Sequence, residues 1–185
     1  MTTLVREAAV VPSGVERKLA PEAIIVSKTD PKGLLTYVND TFLEISAYEE
    51  ADLIGRPHNV IRHPDMPRAV FKLLWDTLAN QDELFAYIVN LSADGSHYWV
   101  LAHVTPSRDE TGQTIGFHSN RRAPSTAAIS QVVPIYQRVR AIEDAQPNAR
   151  AATEAGARAL EQVLADRGQT YDEFVWHLIN LEDQP

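Results

Sequence analysis

The stretch that decides the fold is Leu84-Phe-Ala-Tyr-Ile-Val-Asn-Leu91, followed by Ser92-Ala-Asp-Gly-Ser96 and His97-Tyr-Trp-Val-Leu-Ala-His-Val-Thr105. Two runs rich in β-branched and aromatic residues flank an Asp-Gly turn, which is typical of a β-hairpin. A second turn around Asp109–Gly112 leads into Thr114–Arg121, a further run of this kind. The sequence therefore predicts three antiparallel strands connected as a meander.

Both faces of the middle strand are largely apolar. Because successive side chains alternate across a strand, Tyr98 and Val100 point one way while Trp99 and Leu101 point the other way. We therefore expect the second face of the sheet to be covered by a tail of the chain or by a partner.

A hairpin precedes the meander. The apolar runs Ala23–Ser27 and Leu34–Val38 flank Asp30-Pro-Lys-Gly33, whose Pro and Gly favour a tight turn. These two strands and the meander predict a five-stranded antiparallel sheet.

The segment between hairpin and meander predicts helices. Asn39 and Asp40 can cap a first short helix, and Asp65 is placed as the N-cap of a longer helix over Met66–Ala79. The order of one strand pair, short helices and then three strands indicates an α+β fold. In such a fold the short helices cover one face of a single sheet.

The chain after Pro124 is helical in pattern. Apolar stripes mark Ile129–Ile142 and Ala151–Ala165, and Thr170-Tyr-Asp-Glu173 is a capping box for a third helix. Pro134 predicts that the first of these helices begins near it or kinks there. We divide the chain into an N-terminal arm or cap (1–20), a central domain (21–124) and a C-terminal helical extension (125–185). We expect the extension either to form a homodimer, to dock on a larger protein or to fold back as an intramolecular cap.

Composition excludes several classes of function. The chain has 185 residues with 25 acidic and 17 basic side chains, a net charge of −8, which disfavours binding to nucleic acid. No long apolar run or signal peptide is apparent, so we expect a soluble, cytoplasmic protein. The absence of cysteine excludes disulfides, thiolate metal sites and thiol nucleophiles.

One long motif identifies a family. The run Gly55-Arg-Pro-His-Asn-Val-Ile-Arg-His-Pro-Asp-Met-Pro-Arg68, with Trp75-Asp-Thr-Leu78 and His97-Tyr-Trp-Val100, resembles the sensor PAS domain of bacterial aerotaxis receptors. The resemblance implies a PAS fold, non-covalent binding of FAD, and signalling of redox or oxygen status to a chemotaxis output. No receptor signalling domain follows here, so we expect signalling in trans, to a chemoreceptor or another partner protein.

The resemblance also indicates site residues, because Arg62, His63 and Asp65 match positions implicated in holding the flavin. Arg62 can make a forked contact with a diphosphate, and the start of the Met66–Ala79 helix offers N–H groups to an anion. His63 can hydrogen-bond a flavin or ligate haem iron. The complete set of candidate cofactor-binding residues is Arg62, His63, Asp65, Asn59, His58, Asn39 and Trp75.

Alternatives to a flavin sensor stay open. The family usually has Trp and then Gly where this chain has Phe85 and Tyr87, and a tyrosine in place of glycine narrows the pocket or excludes FAD. A haem-based gas sensor and a cofactor-free interaction adaptor are therefore the other hypotheses. We expect neither a metal site nor an enzyme, because neither metal-ligand spacing nor a nucleophile motif is present.

Overall fold

A computed structural model describes residues 10–80 and 82–182. Five strands form one sheet: β1 (Ile25–Thr29), β2 (Leu35–Val38), β3 (Leu84–Leu91), β4 (His97–Arg108) and β5 (Thr114–Arg122). The helices of the described residues are α1 (Asp40–Ser46), α2 (Glu50–Leu53), α3 (Arg68–Ala79), α4 (Thr126–Asp144), α5 (Ala149–Ala165) and α6 (Tyr171–Glu182), with a 3₁₀ turn at His58–Ile61. The five predicted strands are confirmed.

The sheet is antiparallel, and its strands lie in the order β2-β1-β5-β4-β3. The pairing of β1 with β5 joins the first hairpin to the meander, so the chain's two strand groups form one surface. The register places Arg121 of β5 opposite Ala102 of β4. This register determines which polar side chains share a face.

The first hairpin turns as its sequence predicts. The Asp30 carboxylate accepts hydrogen bonds from the backbone N–H of Lys32 (2.8 Å) and Leu34 (2.9 Å). Gly33 has a φ of 79°, a left-handed conformation that glycine adopts without strain.

The inner face of the sheet, defined by Ser27, Ile88, Ala102 and Arg121, lies under α3 and the 3₁₀ turn. Short helices therefore cover one face of the sheet, as the α+β prediction requires. The arrangement leaves a cavity between the helices and the sheet.

The outer face carries Phe85 and Trp99, and the C-terminal helices α4–α6, hereafter the C-terminal cap, cover it. The Tyr136 hydroxyl on α4 donates to the Tyr87 carbonyl (2.8 Å), and its ring lies 6.3 Å from that of Trp99. Trp176 on α6 lies 5.2 Å from Phe85. Of the three arrangements considered for this extension, the structure shows the one in which it folds back on its own chain.

Local signals explain where the cap helices begin. Ser125 accepts from the N–H of Ala128 at the start of α4, and Thr170 and Glu173 form the predicted capping box of α6. The prediction that α4 begins near Pro134 is wrong, because the helix begins at Thr126 and continues through the proline. Pro134 itself is exposed, while its neighbour Ile135 is buried against the core.

The N-terminal arm, described from residue 10, lies against the β3–β4 hairpin; residues 1–9 lie outside the described residues. The Ser13 and Arg17 N–H groups donate to the carbonyls of Gly95 and His97, both at 2.7 Å. A Cβ at position 95 would lie 2.4 Å from the Val11 carbonyl oxygen, so this contact requires glycine.

Within 10–80 and 82–182, none of the helices has both the length and the apolar character needed to cross a bilayer.

Candidate functional site

A cavity of about 210 Å³ lies between the inner face of the sheet, the 3₁₀ turn and α3. The α3 residues at its wall recur at helical spacing, and the sheet residues recur at every second position of their strands. Its lining consists of Ser27, Thr29, Gly33, His58, Asn59, Ile61, Arg62, Phe71, Leu74, Trp75, Leu78, Ile88, Asn90, Ala102, Val104, Phe117, Ser119 and Arg121.

Exposed lining residues mark where the cavity opens to solvent. Asn59 is exposed and Trp75 is 45% exposed, although both line the cavity. Trp75 meets Phe117 edge to face at 5.4 Å, and a Cβ on Gly33 would lie 3.3 Å from the indole. The opening therefore has aromatic walls that can hold a flat ring.

Arg121 is a buried cation in the cavity wall, only 4% exposed. Its Nη2 donates to the Ser27 hydroxyl (2.8 Å) and to Nε2 of His58 (2.5 Å), and the guanidinium lies 5.5 Å from the Phe42 ring centroid. Burial lowers the pKa of Arg121 to about 10, so the side chain remains charged at neutral pH.

His58 is held neutral beside this cation. Burial, reinforced by the charge of Arg121, lowers the pKa of His58 to about 3. Because a guanidinium only donates, Nε2 of His58 must be the acceptor of the hydrogen bond. That lone pair is therefore engaged, which disfavours His58 as a ligand of haem iron, although it is the one histidine among the described residues that line the cavity.

Arg62 is a second cation of the cavity wall. It is half-buried, donates from Nη2 to the Met66 carbonyl (2.9 Å) and lies 4.5 Å from the Phe71 ring centroid. Burial lowers its pKa, and the charge of Arg68 acts in the same direction. A guanidinium has five donors, so the bond to Met66 leaves Arg62 able to bind a ligand.

Three buried polar atoms of the cavity wall can donate a hydrogen bond but have no acceptor among the described residues. Nδ2 of Asn90, Oγ of Ser119 and Nη1 of Arg121 are buried and have no hydrogen-bond partner in the described part of the protein. No Asp or Glu stands among the described lining residues. Buried donors without partners are costly, so the cavity is suited to a ligand that brings acceptor atoms or negative charge.

The residues that could ligate a metal ion do not lie together in the described part of the chain. Across residues 10–80 and 82–182, no group of three His, Asp or Glu side chains is placed to hold a metal ion. His103, for example, contacts Glu83 (2.7 Å) and stacks on Phe85 (4.1 Å).

Four of the predicted cofactor-binding residues line the cavity: Arg62, His58, Asn59 and Trp75. The other three do not. His63 accepts the N–H of Asp65 (3.1 Å) and packs on His97 (5.7 Å), while Asn39 caps α1 through Phe42 (3.2 Å). Contact of all seven residues with a cofactor stays a prediction.

The prediction that Asp65 caps the long helix is wrong. Asp65 is exposed and α3 begins at Arg68, after Pro67. The carboxylate of Glu143, on α4 of the C-terminal cap, instead accepts the N–H groups of Arg68 (3.0 Å) and Ala69 (2.9 Å). For the same reason the start of this helix cannot offer those N–H groups to a phosphate, because a buried carboxylate already binds them.

The prediction that Tyr87 narrows the pocket is also wrong. Its neighbour Ile88 lines the cavity, and successive side chains of a strand point to opposite faces, so Tyr87 belongs to the outer face. There its backbone carbonyl binds Tyr136 of the cap.

Sequence reasoning missed Arg121, Asn90, Ser119 and Glu143. The alternation of β5 from Phe117 was a usable signal, because it places Ser119 and Arg121 on the same face. Glu143 gave no signal, since its partners lie 74 and 75 residues away in the sequence.

Comparison with known proteins agrees with this geometry. A family model described as PAS fold matches residues 35–121. The aerotaxis receptor of Escherichia coli (strain K12) is 37% identical over 123 residues, which are 66% of this chain and 24% of the receptor. The chain thus spans about a quarter of the length of that relative.

Solved structures share the fold. The dark structure of the blue-light photoreceptor Aureochrome1 LOV superposes with a TM-score of 0.53 at 23% identity, covering 60% of this chain and 82% of the other. A light-oxygen-voltage domain studied with a flavin analogue superposes with a TM-score of 0.52 at 19% identity, covering 62% and 86%. At these identities the similarity establishes the fold.

Proposed function

Because the chain contains a PAS domain homologous to part of an aerotaxis receptor, we propose that it is a cytoplasmic flavin-binding redox sensor that signals to a partner protein. The observation that carries the proposal is the cavity, with apolar and aromatic walls and three buried donors that have no acceptor in the described chain. A flavin ring is flat and bears carbonyl and ring-nitrogen acceptors, so it complements such a cavity.

The size of the cavity indicates how FAD would be bound. Its volume of about 210 Å³ is below the roughly 300–1,000 Å³ typical of sites for whole drug-sized ligands. We therefore propose that only the ring system enters, while the diphosphate stays nearer to solvent. Arg62, half-buried in the wall, is the residue we assign to the diphosphate, because a guanidinium binds phosphate through paired hydrogen bonds.

We infer a route for the signal from the contacts of Arg62. A ligand that draws Arg62 away from the Met66 carbonyl changes the segment that leads into α3. The first N–H groups of α3 are bound by Glu143, so such a change reaches the C-terminal cap. We propose that the cap presents this change to a chemoreceptor, another signalling protein or a second copy of the chain.

FAD binding to Arg62 variants tests the proposal. We expect the wild-type chain to retain FAD in equilibrium dialysis and Arg62→Ala to weaken binding at least tenfold, because the contact to the diphosphate is lost. Arg62→Lys should fall between them, since it keeps the charge without the fork. Arg150→Ala removes an arginine from the exposed surface of α5 and is the matched control. FAD binding that is unchanged in Arg62→Ala would contradict the assignment.

A further inference from the structure

Arg121 is a buried charge that the described protein leaves without a counter-ion. It is 4% exposed, its partners Ser27 and His58 are neutral, and its Nη1 atom has no hydrogen-bond partner. An isolated buried ion destabilises the folded protein, so buried charges are ordinarily paired.

The surroundings of Arg121 exclude a hidden carboxylate within the described chain. The titratable and charged groups that line the cavity are His58, Arg62 and Arg121, and Tyr98 is a further buried group close enough to affect the arginine electrostatically. The cavity therefore has two cations and no anion. Negative charge has to come from the ligand.

We propose that Arg121 is the counter-charge for an anionic group of the ligand in the cavity, and that with a flavin bound it stabilises the reduced, negatively charged ring over the oxidised, neutral ring. This inference rests on the proposed function, because it names the regulation of the same site. Arg121 acts as a positioning and tuning residue, through its charge.

The proton balance of reduction supports this assignment. One electron, supplied by dithionite in the experiment below, makes a neutral ring an anion unless a proton follows it. No carboxyl group lines the cavity in the described chain, and His58, with a pKa of about 3, carries no proton to give at neutral pH. No described residue of the cavity wall therefore supplies a proton to the ring, and Arg121 is the residue we assign to balance the added charge.

Redox titration of the FAD-loaded chain tests the inference. We expect Arg121→Gln to lower the ratio of affinities for reduced and oxidised flavin at least tenfold, which is a fall of about 59 mV in the one-electron midpoint potential. Arg121→Lys should keep most of the wild-type midpoint. Arg122→Gln is the matched control, because it makes the same change one residue along the strand, at an exposed side chain that points to the opposite face of the sheet.

A midpoint of Arg121→Gln equal to that of the wild type overturns the inference, as does an equal fall in Arg122→Gln. If Arg121→Gln does not fold, the pH dependence of the midpoint potential of the wild type tests the inference instead. An electron taken up without a proton gives a midpoint independent of pH between pH 7 and 8, whereas uptake of one proton lowers it by about 59 mV over that unit.

The two proposals fail in different ways. A wild-type chain that binds FAD, but whose midpoint does not depend on Arg121, leaves the proposed function standing and refutes this inference. A wild-type chain that binds no FAD refutes both.

Discussion

At the scale of single residues, the cavity depends on keeping a histidine neutral beside an arginine. His58 accepts from Arg121, and a protonated imidazole would lose that bond and add a second positive charge. The pKa of His58 is low mainly because the imidazole is buried, and the charge of Arg121 lowers it further. The lowered pKa couples the protonation of the cavity wall to the stability of the fold.

This coupling predicts a pH dependence of stability. The folded pKa of His58, about 3, lies below the ordinary histidine value of 6.5, so the unfolded chain binds the proton first. The stabilisation from neutral His58 is complete above pH 6.5 and is lost as the pH falls towards 3. Between pH 7.5 and 5.0 we expect the wild type to lose about 1–2 kcal/mol more than His58→Gln, in urea unfolding of the ligand-free protein.

His177→Gln, on the exposed part of α6, controls for the loss of a histidine. The folded pKa of His63 is also lowered by burial, but His63 is present in both proteins and cancels in the difference. Parallel pH profiles for the wild type and His58→Gln would show that His58 is protonated in the folded state and would contradict the arrangement described here.

At the scale of secondary-structure elements, the most informative contact is the one between the C-terminal cap and α3. Glu143 is 2% exposed and caps α3, and Gly156 of α5 allows it to lie there. A Cβ at position 156 would be 2.4 Å from Oε1 of Glu143. Three helices therefore meet at one carboxylate.

Removing the charge of this carboxylate tests its role. We expect Glu143→Gln to lower the free energy of unfolding by about 1–3 kcal/mol, because hydrogen bonds to a charged acceptor are replaced by weaker or unmade ones. The amide protons of Arg68 and Ala69 should exchange faster with solvent. Glu154→Gln, which removes a surface ion pair with Arg150, should cost at most about 0.5 kcal/mol. Equal losses in the two variants would refute the interhelical cap.

Gly156 provides the second half of this test. In the wild-type background Gly156→Ala should destabilise the protein, since the new methyl group displaces Glu143. In a Glu143→Ala background the obstructing atoms are gone, and the higher helix propensity of alanine should make the same change neutral or stabilising by up to about 1 kcal/mol. Additive effects would mean that the two residues do not interact.

The elements differ in how far the sequence could predict them. Strands and turns were predictable, because alternation and Asp-Gly or Pro-Lys-Gly turns are local signals, and so was the Thr170–Glu173 capping box. The group that caps the N-terminus of α3 was not predictable from the sequence. Asp65 had the right chemistry at the right distance in sequence, but a carboxylate from α4 that tertiary packing brings there occupies the position.

At the scale of the whole molecule, the sheet separates the cavity from the C-terminal cap. Its inner face holds the cavity with Arg62 and Arg121, and its outer face carries the C-terminal cap. The pairing of β1 with β5 that builds this surface joins segments that are far apart in the sequence, so no local sequence pattern predicts it. The same pairing brings Arg121 beside Ser27 in the cavity. In the sequence alone, Arg121 looks like any other arginine of a strand.

The central claim is that the cavity binds a flavin. The visible absorption spectrum of the full chain, after incubation with FAD and removal of unbound ligand, tests it most directly. We predict the two absorption bands of a flavin in the protein fraction. A single intense haem band in the protein as purified, or no visible absorption after incubation, would contradict the claim and favour the haem sensor or the cofactor-free adaptor, respectively.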